Sequence, residues 1–318
     1  MINKIIRILI GSCGGLTGMY LTKQLKSHNN FNKFIYGIDS ACQNATRIFL
    51  DKFIQSPRVD QKETFINFII DLCNSEKIDV YLPTYSREIR LISEYEGVLR
   101  SKTKTNFIVS DYSSYGKLEN KSTFGGYISK YGLKSPRIYN RDNVTYPSIL
   151  KPTIGSGSNN TFILENNDDC NYYLNKYKNS VVMEYISGTE YTIDVICDFN
   201  SEVVAYNQRI REKVSNGAVV ISKNDFSVEI IDKLKPLIKD FRLKGVINFQ
   251  FILHNGAIYF IDINLRYASG GLPLTVSSGI DVIQILIDLL VNGHIEHFYK
   301  SDKKNRTMYK YFEEVFEV

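Results

Sequence analysis

The chain has 318 residues, 43% of them hydrophobic and 23% charged, with 22 Tyr, 18 Phe and no Trp. These proportions suit a soluble globular protein of two or three domains and exclude a disordered, collagen-like or disulfide-stapled chain. The net charge of +5 is mild and its Lys and Arg are dispersed, which favours small anionic ligands over nucleic acid. Five cysteines, far apart and without CxxC spacing, lead us to expect a reduced, cytoplasmic protein with no structural zinc. The apolar run Ile5–Ile10 is short and broken by Arg7, and Val282–Val291 contains Gln284 and Asp288, so neither a leader nor a membrane span is expected.

In chain order, Ile5–Ile10 reads as a strand ending in the glycine-rich turn Gly11–Gly18. A helix to about Ser27 follows, then a strand Phe34–Ile38 closing on Asp39. This is the layout of a dinucleotide fold, but the glycine spacing departs from G-x-G-x-x-G, and a structural turn is the preferred reading. Helices are expected at Gln61–Glu76 and Ser86–Glu96, and strands at Val80–Pro83 and Asn106–Val109. The alternation implies a parallel sheet of about four or five strands. Thr84 and Glu88 follow a strand's C-terminal end, where open sheets of this kind hold ligands, though a solvated helix start reads equally well.

Asp111–Lys121 shifts to polar residues and Tyr, as a linker would. Asn120-Lys121 opens a helix to about Tyr131, stopped by Gly132. Ser148–Lys151 is a strand whose terminal Lys151 precedes the small-residue loop Gly155-Ser156-Gly157-Ser158-Asn159-Asn160. Glycine lets backbone N–H groups approach a phosphate, and a lysine beside the loop adds charge. After the strand Thr161–Leu164, Val181–Tyr185 enters the run Ile186–Asp194. Two further strands are expected at Val203–Arg211 and Ala218–Ser222; on the first, Arg209 and Arg211 stand two apart on one side, able to grip a carboxylate or phosphate, against a plain solvated face. Phe226–Phe241 reads as an amphipathic helix, Asp281–Asn292 as a closing helix and Met308–Phe316 as a terminal helix.

The most informative stretch is Gly245–Gly271, two alternating runs joined at Asn255-Gly256, a strong hairpin signal. A two-residue loop sets Gln250 against Ile261. A loop of about three residues sets it against Asp262, with Asn248 and Asn264 on the same face and Phe249, Phe251, Ile261 and Ile263 on the other. The second register separates polar from apolar and is preferred. It gathers a carboxylate, amide oxygens and Arg266 at one surface, a hard-oxygen donor set suited to Mg²⁺.

Four ordered motifs give the chain a resemblance to the ATP-grasp superfamily, in its carbamoyl-phosphate-synthetase large-subunit branch. They are Asn120-Lys121 with Gly132 and Pro136, the Lys151 loop, Glu184-Tyr185-Ile186…Glu190-Tyr191…Asp194, and Gln250 with Asp262-x-Asn264-x-Arg266. Asp262 stands where that family usually has Glu, and Leu265 where it has Pro. The resemblance implies an α/β chain with an N-terminal Rossmann-like pre-grasp domain (1–111), a small grasp lobe with the glycine loop (112–186) and a C-terminal lobe (187–318). It also implies an ATP site of Lys121, Lys151, Gly155, Ser156, Gly157, Ser158, Glu184, Tyr185, Ile186 and Glu190, with the hinge backbone at the adenine edge. Gln250, Asp262 and Asn264 would hold Mg²⁺ or Mn²⁺; Arg266, Arg209 and Lys151 would act at the reacting groups; and Arg209, Arg211, Ser269, Gly270 and Gly271 would hold the acid substrate. Asp194 is expected to serve the fold. The implied reaction activates a carboxylate as an acyl phosphate for attack by an amine or ammonia. Bicarbonate-dependent carboxylation or carbamoyl phosphate formation, a non-catalytic ATP-binding module and a nicotinamide site at Gly11–Gly18 are the alternatives. A homodimer is compatible with the sequence but not required by it.

Overall fold

A computed structural model describes residues 4–155, 160–215, 217–268, 270–295 and 298–316. The chain opens with β1 (Ile6–Ile10), α1 (Leu16–Ser27), β2 (Lys33–Asp39), β3 (Lys52–Gln55), α2 (Lys62–Ser75), β4 (Val80–Leu82), α3 (Ser86–Glu94) and α4 (Glu96–Lys102). The four strands are all parallel in the order β3-β2-β1-β4. Such a sheet is buried on both faces, which is why β1 and β4 are continuous apolar runs with Ile8, Leu9, Ile10 and Val80 inaccessible to solvent. Edge strand β3 has no apolar run to betray it and went unread in the sequence. The strand expected at Asn106–Val109 is only a single bridge from Asn106 to Val80. Instead of continuing the ladder, Ser110 and Asp111 bond to Lys244 and Arg242, tying this sheet to the rest of the chain.

A second unit comprises α5 (Tyr112–Leu118), α6 (Phe124–Ile128), β5 (Ile138–Tyr139), β6 (Ser148–Pro152), β7 (Phe162–Leu164), α7 (Asn167–Lys176) and β8 (Ser180–Glu184). The expected helix from 120 to 131 is shortened to α6 and a 3₁₀ turn, which Gly132 stops in the left-handed region as anticipated. Its antiparallel sheet, β5-β8-β6-β7, has a small core of its own. Leu150, Leu164, Cys170 and Val182 are packed there beneath the stacked rings of Phe162, Tyr173 and Tyr177. The main core, shared by the rest of the molecule, does not include them.

The largest sheet carries β9 (Thr189–Cys197), β10 (Val203–Ser215), β11 (Ala218–Asn224), β12 (Gly245–His254) and β13 (Ala257–Asn264), with α8 (Ile231–Asp240) between β11 and β12. After α9 (Leu272–Ser277) and α10 (Val282–Ile287), β14 (Tyr299–Lys300) and β15 (Thr307–Tyr309) complete it. The order is β13-β12-β9-β10-β11-β15, with β14 beside β10. The terminal helix expected over Met308–Phe316 is absent: β15 pairs with the open edge of β11, and no helix follows among the described residues. An unpaired strand edge is a ready partner for a short extended segment, and that opportunity outweighs the tail's weak helical pattern.

The β12–β13 hairpin has the preferred pairing, with Gln250 opposite Asp262 and Asn248 opposite Asn264, but reaches it differently. His254 pairs with Ala257, so the turn is the two-residue Asn255-Gly256, both at positive φ (47° and 76°). That is the type I′ geometry favoured in hairpins, and glycine adopts it without steric cost. The register then shifts by one between Gln250 and Phe251 through a bulge that leaves Ile261 unpaired. Ile261 therefore turns away from the core face expected for it, while Phe249, Phe251 and Ile263 remain buried there.

Candidate active site

The second unit folds over the face of β12–β13 and encloses a cleft of about 390 Å³. Its wall begins where β8 leaves the small sheet. The Glu184 N–H donates to the Arg137 carbonyl (2.8 Å), and the Glu184 carboxylate accepts from the Arg137 N–H (3.2 Å), fixing the path of the chain into Tyr185 and Ile186. The chain then passes so close to β12 that a Cβ on Gly188 would lie 2.3 Å from the Leu253 carbonyl oxygen; only glycine fits this crossing. Ile149, Met183, Ile252 and Ile261 make an apolar slot beside the hinge. Lys121, Lys151, Gly155, Glu190, Arg211, Gln250, Asp262 and Arg266 line the polar end.

Asp262 is the centre of that polar end. Lys121 Nζ lies 3.3 Å from Asp262 Oδ1 and also donates to the Gly155 carbonyl (3.3 Å). Asn264 Nδ2 donates to Asp262 Oδ2 (3.0 Å), and Gln250 Nε2 to Asn248 Oδ1 (3.1 Å). Burial holds the Lys151 ammonium below its usual pKa, with Asp262 opposing that shift and Lys121 adding to it. Burial likewise lowers the Arg266 pKa against the pull of Asp262 and Glu119. Glu119 is a neighbour that sequence reasoning missed. Its burial, reinforced by the charge of Asp262 and opposed by Arg266, pushes the carboxyl up to about 7. Nothing in the sequence marks Glu119 except its place just before Asn120-Lys121.

The two arginines of β10 have different surroundings. Arg211 reaches the cleft and pairs with Glu190 (2.8 Å). Arg209 is fully buried beneath Gly271, with Nε 3.0 Å and Nη2 3.3 Å from the Asp194 carboxylate. Asp194 also accepts from Asn248 Nδ2 (2.8 Å) and Thr275 Oγ1 (2.6 Å), the structural role anticipated for it. Gly271 is buried against Arg209 of this network and Gly270 against Lys310 and Val219, rather than on the cleft wall. Ser156, Gly157, Ser158 and Ser269 lie outside the described residues. Thr84 Oγ1 caps the Gly11 carbonyl (2.7 Å), and Glu88 is buried under the first glycine turn, bonded to Tyr81.

Among the described residues, no group of three or more His, Cys, Asp or Glu side chains converges as a metal cage. One carboxylate with neighbouring amides is nonetheless the donor set Mg²⁺ accepts when water and substrate phosphates complete its shell. With their N–H₂ groups committed to Asn248 and Asp262, the side-chain oxygens of Gln250 and Asn264 accept no hydrogen bond among the described residues. These residues fit the ion.

Comparison with known proteins agrees with this geometry. Residues 176–315 match a family described as "ATP-grasp in the biosynthetic pathway with Ter operon". The carbamoyl phosphate synthase large chain of Helicobacter pylori is 25% identical over 216 residues, covering 59% of this chain and 20% of that protein. The chain thus spans about a fifth of the length of that relative. N5-carboxyaminoimidazole synthetase from Staphylococcus aureus, complexed with ADP, superposes with a TM-score of 0.75 at 15% identity, over 97% of this chain and 83% of that one. The biotin carboxylase domain dimer of Hydrogenobacter thermophilus 2-oxoglutarate carboxylase, with MgADP, ADP and bicarbonate, gives 0.73 at 13% identity, over 94% and 72%. The mixed α/β fold is shared with these solved structures. These matches support a likeness to the ATP-grasp superfamily, in its carbamoyl-phosphate-synthetase-like branch, whose model matches residues 176–315.

Proposed function

We propose that this protein uses MgATP, or MnATP, to activate a substrate carboxylate as an acyl phosphate, which an amine or ammonia then converts to an amide. The observation that carries this reading is Asp262 at the head of a closed cleft, with Gln250 opposite it, Asn264 beside it and Lys121 against it. In the first step a carboxylate oxygen attacks the γ-phosphorus and the bond to the ADP oxygen breaks. In the second, the amine nitrogen attacks the acyl carbon, phosphate leaves and a proton is released. Phosphoryl transfer asks for positioning and charge neutralisation rather than covalent catalysis. Lys121, Lys151 and Arg266 supply fixed positive charge at the transferred group; the ion held by Gln250, Asp262 and Asn264 supplies the remainder when bound. The slot of Ile149, Met183, Ile252 and Ile261 receives the adenine ring, with the backbone of Glu184–Ile186 along its edge and Glu190 near the ribose. Lys151 and Gly155 line the polar end of the cleft, where the β- and γ-phosphates would lie.

The test is ADP release from MgATP with pooled carboxylic acids and hydroxylamine, which traps acyl phosphates as hydroxamates. ADP and hydroxamate rising together with one acid pool are expected. A second reading, bicarbonate as the activated acid, draws support from the bicarbonate bound in the Hydrogenobacter domain. It predicts ADP release that depends on bicarbonate and yields no hydroxamate.

A further inference from the structure

Exposed large hydrophobic side chains are scattered over the molecule except at one place. Tyr309, Tyr311, Phe312 and Phe316 are 70%, 82%, 100% and 82% exposed, the four highest values among the described residues of this kind. Single exposed rings need no explanation, but a contiguous group of them marks an interaction surface. They stand on β15 and the segment that follows it, at the open end of the largest sheet.

One edge of β15 is occupied and the other is free. Met308 pairs with Ser222, the Asn224 N–H donates to the Arg306 carbonyl (3.0 Å), and the Lys310 N–H donates to the Val220 carbonyl (2.9 Å). Antiparallel ladders alternate, so the backbone groups of Thr307, Tyr309 and Tyr311 point the other way, along an edge that no described strand covers. The side chains alternate too. Met308 and Lys310 are half-buried, Lys310 against Gly270, whereas Thr307, Tyr309 and Tyr311 are exposed. An edge of this kind is a template for another strand.

The charges around that edge make the segment complementary to itself. Lys303, Lys304 and Arg306 precede Tyr309, and Glu313 and Glu314 follow it. Three of these are spent within the chain: Lys303 on Glu229, Arg306 on Asp302 and Glu313 on Lys23. Lys304 feels Asp302 but forms no ion pair among the described residues, and neither does Glu314. Two such strands laid antiparallel about a two-fold axis at Tyr309 pair Tyr309 with its own copy and Thr307 with Tyr311. The same register sets Lys304 opposite Glu314 on both sides of the axis. Moving the axis one place, to Lys310, would set two lysines face to face, which like-charge repulsion opposes.

We propose that two copies of this chain associate through β15, forming an antiparallel β15–β15 pair in which the exposed rings cover one another and Lys304 faces the partner's Glu314. The two largest sheets then become one continuous sheet across the two-fold axis. Neither β15 nor the segment after it lines the nucleotide cleft, so the contact stands whatever reaction the cleft performs.

Sedimentation equilibrium of the full chain over a hundredfold range of concentration tests this, with a monomer–dimer equilibrium expected. Tyr309→Pro spares the β11 ladder, because the Tyr309 N–H faces the free edge, but it removes a donor from the new pair. It should abolish the dimer and leave the melting temperature of the dilute monomer unchanged. Lys304→Glu and Glu314→Lys each turn two attractive pairs into two repulsive ones and should raise the dissociation constant on the order of tenfold. The double variant Lys304→Glu/Glu314→Lys should associate like the wild type. So should an equimolar mixture of the two single variants, since each chain carries the charge the other needs; a contact within one chain gains nothing from mixing. A chain that stays monomeric throughout, or a dimer indifferent to Tyr309→Pro and to the charge exchange, overturns the assignment. If Tyr309→Pro fails to fold, the charge exchange decides alone.

Discussion

Two carboxylates on the largest sheet, Asp194 on β9 and Asp262 on β13, stand on either side of the same hairpin strand β12 and serve opposite ends. Asp194 is buried and its oxygens are saturated by Arg209, Asn248 and Thr275. Asp262 is only partly buried, faces the cleft and has a lysine at 3.3 Å as its cationic partner. A buried carboxylate whose acceptor capacity is filled has nothing left to bind and fixes the sheet; one at a cleft wall with loose contacts keeps capacity for an ion or a phosphate's counter-charge. The strand between them couples the two, because Asn248 donates to Asp194 and accepts from Gln250. The rigid side thereby orients the working side.

The sharpest break in this contrast is Asp262→Ala. Removing the one carboxylate among the assigned metal donors should lower ADP formation by about a thousandfold, equivalent to roughly 4 kcal/mol of transition-state stabilisation. The variant should remain folded, because Asp262 is only partly buried at the cleft wall, although Lys121 and Asn264 lose a partner there. Full turnover in this variant would refute the assigned metal site.

Arg209→Met tests the other side. It strands a buried carboxylate without its cation, a loss that costs roughly 3–5 kcal/mol. Thermal unfolding should show it as a fall on the order of 10 °C in a chain of this size. If instead the variant melts normally and the Michaelis constant for the acid rises, Arg209 reaches the substrate and the contrast drawn above is wrong.

Much of this could be read in the sequence because polarity alternates so cleanly along β12 and β13: Gln250, Asp262 and Asn264 can share a face only if the Phe residues share the other. The bulge escaped because Ile261 is apolar in either arrangement, and polarity alone does not separate a core from a slot shaped for a ring. The Arg209-x-Arg211 spacing suggested a substrate grip, since two residues on one strand face look equivalent. What separates them is cross-strand: Thr192 on β9 lies opposite Arg209, and the Asp194 two places along is within reach of its guanidinium, whereas Arg211 meets Glu190. Edge strands β3 and β15 were missed or misread because a short half-exposed segment takes its conformation from the neighbour it pairs with.

Glu119, invisible to motif reading, gives the smallest and most discriminating prediction, because it feels Asp262 without touching the buried network. Its folded pKa, about 7, lies above the ordinary value of 4.5, so folding takes up a proton on this group between those pH values. The stability it contributes is complete below about pH 4.5 and is lost as pH rises through about 7. Glu119→Gln is neutral at every pH and should remove that slope. Above pH 8 the variant should then exceed wild type in stability by on the order of 2 kcal/mol. Denaturant unfolding at pH 5 and pH 8 reads this directly. Converging curves at low pH and a more stable variant at high pH are expected; parallel curves would mean that the Glu119 carboxylate is solvated in the folded protein and that Asp262 stands in a wetter site than its lysine contact implies.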